Sequence, residues 1–147
     1  MHLTLKFLGE VSADKIEEVT SVLRGIVPDY APFHLSFNGT GTFPPQAQIP
    51  RIIWIGIEKS ETLQLIQTRV ENELHKIHFP KENRKFHPHL TLGRVKGPQN
   101  LGKVLETLNQ HKDTEFGKMT VDRITLFKST LKPTGAEYTI LSEFSLE

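Results

Sequence analysis

The chain has 147 residues, of which 37% are hydrophobic and 24% charged, a composition typical of a folded globular protein. Eighteen basic and seventeen acidic residues leave a net charge of +1, which excludes a uniformly basic nucleic-acid-binding surface. The absence of cysteine excludes disulfides, a thiol nucleophile and a zinc–thiolate site, and it fits the cytoplasmic location that we expect.

The first half of the chain alternates between strand-like and helix-like patterns. Strands are indicated where apolar and polar residues alternate, and a helix is indicated where apolar residues recur three or four positions apart. Ser12 is a suitable N-cap for the helix, and Pro28 ends it. In chain order, the predicted elements are a strand at 2–8, a helix between Ser12 and Pro28, a strand at 33–38, a loop at 39–45 and a strand at 51–57.

The second half continues this alternation. The predicted elements are a helix capped by Ser60 and reaching Ile77, a basic loop at 80–85, a strand through 89–92, a short helix from Leu101 to Leu108, and strands at about 116–131 and 137–146. The order suggests two related halves within one two-lobed domain that spans residues 1–147. We therefore predict an α+β fold: bilobal, with two mainly antiparallel sheets, helices on the outside and a central cleft.

The tetrapeptide His-Leu-Thr-Leu occurs twice, at residues 2–5 and 89–92. Because side chains alternate between the faces of a strand, the histidine and threonine of each copy should share a face, with Cα atoms about 6.5 Å apart. The leucines should point to the opposite face and pack into a core. If two such strands face each other, two imidazoles and two hydroxyls converge, which suits acid–base chemistry on a phosphate ester.

Positive charge flanks the second copy at Lys85, Arg94 and Lys96. The two lysines are best interpreted as solvated strand ends. Arg94 lies five positions after His89 and would fall on the opposite face of an unbroken strand. A bulge or bend at Gly93 would return it to the face of the histidine.

Two histidine arrangements raise the alternative of a metal site. His75 and His78 lie three positions apart on the second predicted helix, with Glu71 one turn earlier, and a polar helix surface is the favoured interpretation. His87 and His89 form a His-x-His pair that zinc hydrolases also use. No third ligand is evident for this pair, so a metallohydrolase remains an alternative without a complete ligand set.

The two motifs together resemble those of the two-histidine phosphoesterases, and most closely the RNA 2′,3′-cyclic phosphodiesterases, once named 2′-5′ RNA ligases. The first motif continues as Lys-Phe-Leu-Gly at 6–9, and the second is embedded in Phe-His-Pro-His-Leu-Thr-Leu-Gly-Arg at 86–94. Further segments that resemble the family are 41–44, 50–56, 126–131 and 138–141.

The resemblance implies hydrolysis of a 2′,3′-cyclic phosphate, on RNA ends or small nucleotides, to a 2′-phosphomonoester. It implies His2 as proton donor and His89 as proton acceptor, although the residues alone leave this assignment open. Thr4, Thr91 and Arg94 would contact the phosphate, and no metal or other cofactor is expected. The resemblance also leads us to expect a monomer and about 35–45 further residues before Met1, containing one strand and one helix.

Two other functions remain open for the same residues. The acid–base pair could catalyse the reverse reaction and act as a 2′-5′ RNA ligase, although the sequence lacks a phosphate-binding glycine loop for ATP-driven ligation. Alternatively, the chain could be a non-catalytic module that binds RNA ends.

Overall fold

The computed structural model describes residues 2–147, which form helices and strands of an α+β fold, as predicted. The elements in chain order are α1 (Ala13–Ile26), a 3₁₀ turn (Val27–Asp29), β1 (Phe33–Phe43), β2 (Ile52–Ile57), α2 (Glu61–Lys76), β3 (His89–Arg94), α3 (Leu101–Gln110), β4 (Glu115–Val121), β5 (Arg123–Lys132) and β6 (Gly135–Ser145). One sheet has the strand order β3-β2-β1-β4, and the other is the hairpin β5-β6. No helix within residues 2–147 is both long and apolar enough to cross a lipid bilayer.

The strand predicted at residues 2–8 is wrong. This segment contains no regular secondary structure, and neither sheet of the described chain includes it. The alternation that suggested a strand is nevertheless visible in the burial of the first motif, where Leu3 and Leu5 are half-buried while His2 and Thr4 are exposed. Alternating burial therefore arises here without the backbone hydrogen bonds that define a strand.

The loop predicted at 39–45 is largely strand, because β1 continues to Phe43. Gly39 has a φ of +71°, a left-handed conformation that favours glycine, and the register with β2 shifts between Phe37 and Thr40. The backbone N–H of Gly39 donates to the carbonyl of Thr114 at 2.9 Å. Gly39 thus marks an irregularity inside a strand rather than a loop between strands.

The single strand predicted at about 116–131 is also wrong. The chain divides at Asp122 into β4, which joins the four-stranded sheet, and β5, which pairs with β6 in antiparallel register. The carbonyl of Asp122 accepts a hydrogen bond from the N–H of Leu146 at 2.8 Å. The sequence of residues 116–131 did not reveal that its first part and its second part pair with strands of different sheets.

The chain forms two compact units, which do not coincide with the two halves suggested by the sequence. The first unit carries most of the four-stranded sheet together with α3, and the second carries α1, α2 and the β5-β6 hairpin. The first consists of the residues up to Leu5, His34–Ser60 and Lys85–Met119; the second consists of Lys6–Phe33, Glu61–Arg84 and Thr120–Glu147. Each unit is therefore assembled from three separate stretches of chain.

The second unit has a core formed by α1, α2 and the hairpin. The apolar positions that predicted the two helices are the ones that it buries, since Leu23 and Ile66 are 4% and 2% exposed. The other buried side chains of this unit include Val19, Ile26, Leu63, Val70, Leu74, Ile124, Leu126, Phe144 and Leu146. The two helices predicted from this apolar spacing are therefore confirmed.

Candidate active site

The second motif begins β3, and the main chain orients its histidine. Pro88 restricts the residue before it, His87, to an extended conformation. The carbonyl oxygen of His87 lies 2.7 Å from Nδ1 of His89. Because a carbonyl oxygen only accepts hydrogen bonds, Nδ1 of His89 must carry the proton. The lone pair of the neutral ring is therefore on Nε2, which can accept a proton.

Aromatic rings surround the imidazole of His89. Its ring centroid lies 5.1 Å from that of Phe43 and 6.2 Å from that of Trp54, with the rings steeply inclined to one another. His87 contacts the same two rings, at 5.3 Å and 5.2 Å. These four side chains form a cluster that we call the histidine–aromatic cluster (Phe43, Trp54, His87 and His89). Contacts within this cluster restrict the orientation of the His89 ring, in addition to its hydrogen bond with the main chain.

Gly41 makes room for this cluster. It lies directly opposite Trp54 in the pairing of β1 with β2. A Cβ atom at position 41 would lie 2.2 Å from Cζ2 of Trp54, a distance too short for any side chain. The indole therefore packs against the bare backbone of β1, and its position depends on that glycine.

A bulge in β3 brings Arg94 to the face of Thr91. Thr91 lies opposite Trp54 and Arg94 lies opposite Ile52, although β3 has one residue more than β2 between these pairs. Trp54 and Ile52 are two positions apart and share a face of β2, so their partners share that face as well. His89, opposite Gly56, lies on the same face. Of the two irregularities considered at Gly93, a bulge or a bend, β3 thus has a bulge, and it lies next to that residue.

The extra residue of the bulge lies between Thr91 and Gly93, at Leu92. Leu92 is 50% exposed, so the expectation that both leucines of this motif enter a core is wrong for the second one. Leu90 is half-buried. Gly93 has no positive φ, and a Cβ added there would meet no atom within 4 Å. The bulge therefore does not depend on Gly93.

His2 and Thr4 of the first motif belong to the same compact unit as β3 and are both exposed. Although His2 is exposed as a whole residue, partial burial of its imidazole lowers its pKa below the ordinary value of 6.5. In the free protein at neutral pH, the imidazole of His2 is thus mainly uncharged.

Arg94 is exposed and has no carboxylate partner within residues 2–147. Its guanidinium group is therefore available for an anionic ligand on the face of β3 that also carries Thr91. Three further residues of this site were not predicted from the sequence: Phe43, Trp54 and Gly41. Their signal in the sequence was weak, because an isolated aromatic residue or glycine has many structural explanations.

Neither histidine arrangement considered for a metal is complete. Among residues 2–147, no group of three or more His, Cys, Asp or Glu side chains is placed to hold a metal ion. The placement of His78 on the second helix is wrong, since α2 ends at Lys76 and His78 follows it with a φ of +73°. His75 Nδ1 lies 3.2 Å from the carbonyl of Phe79, and Glu71 forms an ion pair with Lys6.

Comparison with known proteins identifies the family. The sequence model of the 2′-5′ RNA ligase superfamily matches residues 1–133. The chain belongs to this superfamily. Among curated relatives, the RNA 2′,3′-cyclic phosphodiesterase of Methanothermobacter thermautotrophicus is 39% identical over 146 residues, which are 99% of this chain and 78% of the relative. The protein of the same name from Methanocaldococcus jannaschii is 35% identical over 144 residues, covering 98% and 79%.

Solved structures of other proteins have a similar fold. A protein from Thermus thermophilus matches with a TM-score of 0.83 at 28% identity, over 99% of this chain and 77% of that one. Escherichia coli LigT, crystallised with 3′-AMP, matches with a TM-score of 0.75 at 26% identity, over 99% and 76%. These likenesses bear out the predicted family and the α+β class of the fold.

Proposed function

We propose that this protein is an enzyme, an RNA 2′,3′-cyclic phosphodiesterase that opens the cyclic phosphate to a 2′-phosphomonoester. The observation that carries this proposal is the identity of 39% and 35% to two curated RNA 2′,3′-cyclic phosphodiesterases over almost the whole chain. The 3′-AMP complex of the related LigT supports a nucleotide as ligand. The substrate would be the cyclic end of an RNA or a small cyclic nucleotide.

The reaction needs one proton acceptor and one proton donor. A water molecule attacks phosphorus and passes a proton to Nε2 of His89, the nitrogen that its hydrogen bond to His87 leaves free. The bond from phosphorus to O3′ breaks, and protonated His2 gives O3′ its proton. The phosphate stays on O2′, and exchange of protons with water restores both imidazoles.

Charge on the non-bridging oxygens increases as water attacks. The hydroxyls of Thr4 and Thr91 would donate hydrogen bonds to these oxygens, and Arg94 would add a charge-assisted contact. The bulge in β3 supports the last assignment, because it turns Arg94 to the face of Thr91. No metal ion has a role in this mechanism.

The lowered pKa of His2 must be overcome for this residue to donate a proton. A phosphodiester is negatively charged, and an anion next to an imidazole favours its protonated form. Substrate binding would therefore raise the pKa of His2 and charge the donor where it is needed. In this proposal His2 becomes an acid only in the complex.

The decisive experiment is incubation of the protein with 2′,3′-cyclic AMP in EDTA, followed by phosphorus NMR of the product. We expect 2′-AMP, formed without added metal, and no product from a His2→Ala/His89→Ala double variant. A 3′-AMP product would contradict the assignment of the leaving oxygen. Loss of turnover in EDTA that zinc restores would instead support a metal site at His87 and His89.

The superfamily's description as 2′-5′ RNA ligases favours one second activity, the joining of RNA ends through a 2′-5′ bond. The same two imidazoles would keep their roles: a 5′-hydroxyl of RNA would attack the cyclic phosphate in place of water and pass its proton to His89, while His2 would protonate the leaving O3′. Incubation with an RNA carrying a cyclic end and one carrying a 5′-hydroxyl would reveal it as a longer product. We expect hydrolysis to exceed joining, because water is present at far higher concentration than RNA.

A further inference from the structure

A buried ion pair anchors the segment that follows the first motif. The ammonium of Lys6 lies 2.9 and 2.8 Å from the two carboxylate oxygens of Glu71 and 2.8 Å from the carbonyl of Pro80. The two side chains are only 6% and 12% exposed. An ammonium has three protons, so all donors of Lys6 are used. The residue is held by three separate contacts within the second unit.

Glu71 also holds the loop after α2. Its Oε2 accepts the backbone N–H of Glu82 at 3.2 Å, in addition to the bonds from Lys6. Next to it, the ammonium of Lys81 donates to Oδ1 of Asn72 at 2.8 Å. A single carboxylate on α2 therefore fixes two loops that are far apart in the sequence.

Each of these loops leads directly to one His-x-Thr motif. The chain passes from the first unit to the second between Leu5 and Lys6, and returns between Arg84 and Lys85. No helix or strand lies between the anchor and the motif in residues 2–6 or 82–88. The contacts of Glu71 with Lys6 and with Glu82 thus lie within three residues of the two points at which the chain passes between the units.

We propose that Lys6 and Glu71 are a positioning pair for the two-histidine reaction, fixing the chain exits that lead to His2 and His89. This inference rests on the proposed function. Neither side chain is assigned to the substrate. Acid–base catalysis tolerates little misplacement, since an error of about 1 Å can lower the rate about 100-fold. Loss of the pair should therefore reduce kcat rather than substrate binding.

The test compares Lys6→Met and Glu71→Gln with a matched control, Lys15→Met. Lys15 makes the same kinds of contact, to Glu18 at 2.9 Å and to the carbonyl of Ile77 at 3.1 Å, but does not adjoin either exit. With 2′,3′-cyclic AMP as substrate, we expect kcat of Lys6→Met and Glu71→Gln to fall about 10- to 100-fold with KM within about threefold. Lys6→Arg should restore most of kcat, and Lys15→Met should keep it.

The melting temperature of each variant is measured to distinguish a loss of positioning from a loss of stability. All rates are then measured well below the lowest melting temperature of the set. The proposal is overturned if kcat of Lys6→Met stays within about twofold of the unmodified protein, or if Lys15→Met loses as much. If Lys6→Met does not fold, Glu71→Gln decides alone, because glutamine keeps the size and one oxygen acceptor. An inactive unmodified protein would refute the proposed function instead. The pair would then be tested by NMR signals of the His2 and His89 imidazoles, which Lys6→Met should shift and Lys15→Met should not.

Discussion

His89 donates its Nδ1–H to the backbone carbonyl of His87, two residues earlier, at 2.7 Å. The acceptor is a main-chain carbonyl oxygen, which only accepts hydrogen bonds, so it fixes the tautomer of His89. Pro88 between the two residues keeps the main chain extended. Three consecutive residues thus orient the imidazole of His89, the proton acceptor in the proposed mechanism.

Replacing His89 should abolish most of the activity. We expect His89→Ala to lower kcat/KM at least about 100-fold, because it removes the proton acceptor, and Thr91→Ala to cost less, because it removes one hydrogen bond. Steady-state kinetics with 2′,3′-cyclic AMP will measure both. His75→Ala is the control, since His75 also has Nδ1 beside a backbone carbonyl, 3.2 Å from that of Phe79, but lies in the other unit. A near-normal rate for His89→Ala would contradict the mechanism.

The pH dependence should reveal the environment of His2. Burial disfavours its imidazolium form, so its pKa in the free protein should lie below 6.5. Addition of 2′-AMP should raise that pKa, because the phosphate is negative. The proton donor must be charged, so kcat/KM, which reports the free protein, should fall on the alkaline side at lower pH than kcat does. NMR titration of His2 checks this, and a midpoint that nucleotide does not raise would argue against His2 as donor.

Replacement by alanine should lower the activity at one of two glycines near the site and leave it nearly unchanged at the other. Gly41→Ala places a Cβ 2.2 Å from Cζ2 of Trp54, so the indole must move and disturb the histidine–aromatic cluster. Gly93→Ala meets open space at a backbone without positive φ. We expect Gly41→Ala to lose at least about tenfold in kcat/KM and Gly93→Ala to stay within about threefold. Equal activity of the two variants would show that the position of Trp54 does not affect His89.

Two glycines away from the site provide a test of stability. Gly25 lies within α1 and a Cβ there meets no atom, so Gly25→Ala should raise the free energy of unfolding by about 0.5–1 kcal/mol. Gly117 also has open space around it but has a φ of +113°. Gly117→Ala should therefore destabilise the protein by about 1–3 kcal/mol. Urea unfolding measures both, and a gain from Gly117→Ala would contradict the strained backbone at that position.

The sequence predicted the helices well because their determinants are local. The apolar spacing of α1 and α2 identifies the residues that become buried, and Ser12 does precede the first residue of α1. The shared face of His89 and Thr91 also follows from local geometry, since the two residues lie two positions apart on one strand. Patterns of this kind need no knowledge of the neighbouring elements.

The errors concern features that a partner strand determines. Residues 2–8 alternate like a strand, but a strand forms only where backbone groups find a neighbour, and the segment is anchored by the side chain of Lys6 instead. The position of the bulge, at Leu92 rather than at Gly93, depends on the register of β3 against β2, which the sequence of β3 does not specify. The need for glycine at position 41 is visible only when Trp54 is known to lie against it.

The interleaving of the two units has a consequence for synthesis. The segment that carries His2 leaves the ribosome 87 residues before His89, yet both belong to the same unit. At about 5–20 residues per second, the first motif waits at least about 4 seconds for the residue that begins β3. During that interval, the second unit is also unfinished, because it needs the chain as far as Glu147. Folding of the first unit on the ribosome is therefore delayed until Met119 has been made, and folding of the second until Glu147 has been made.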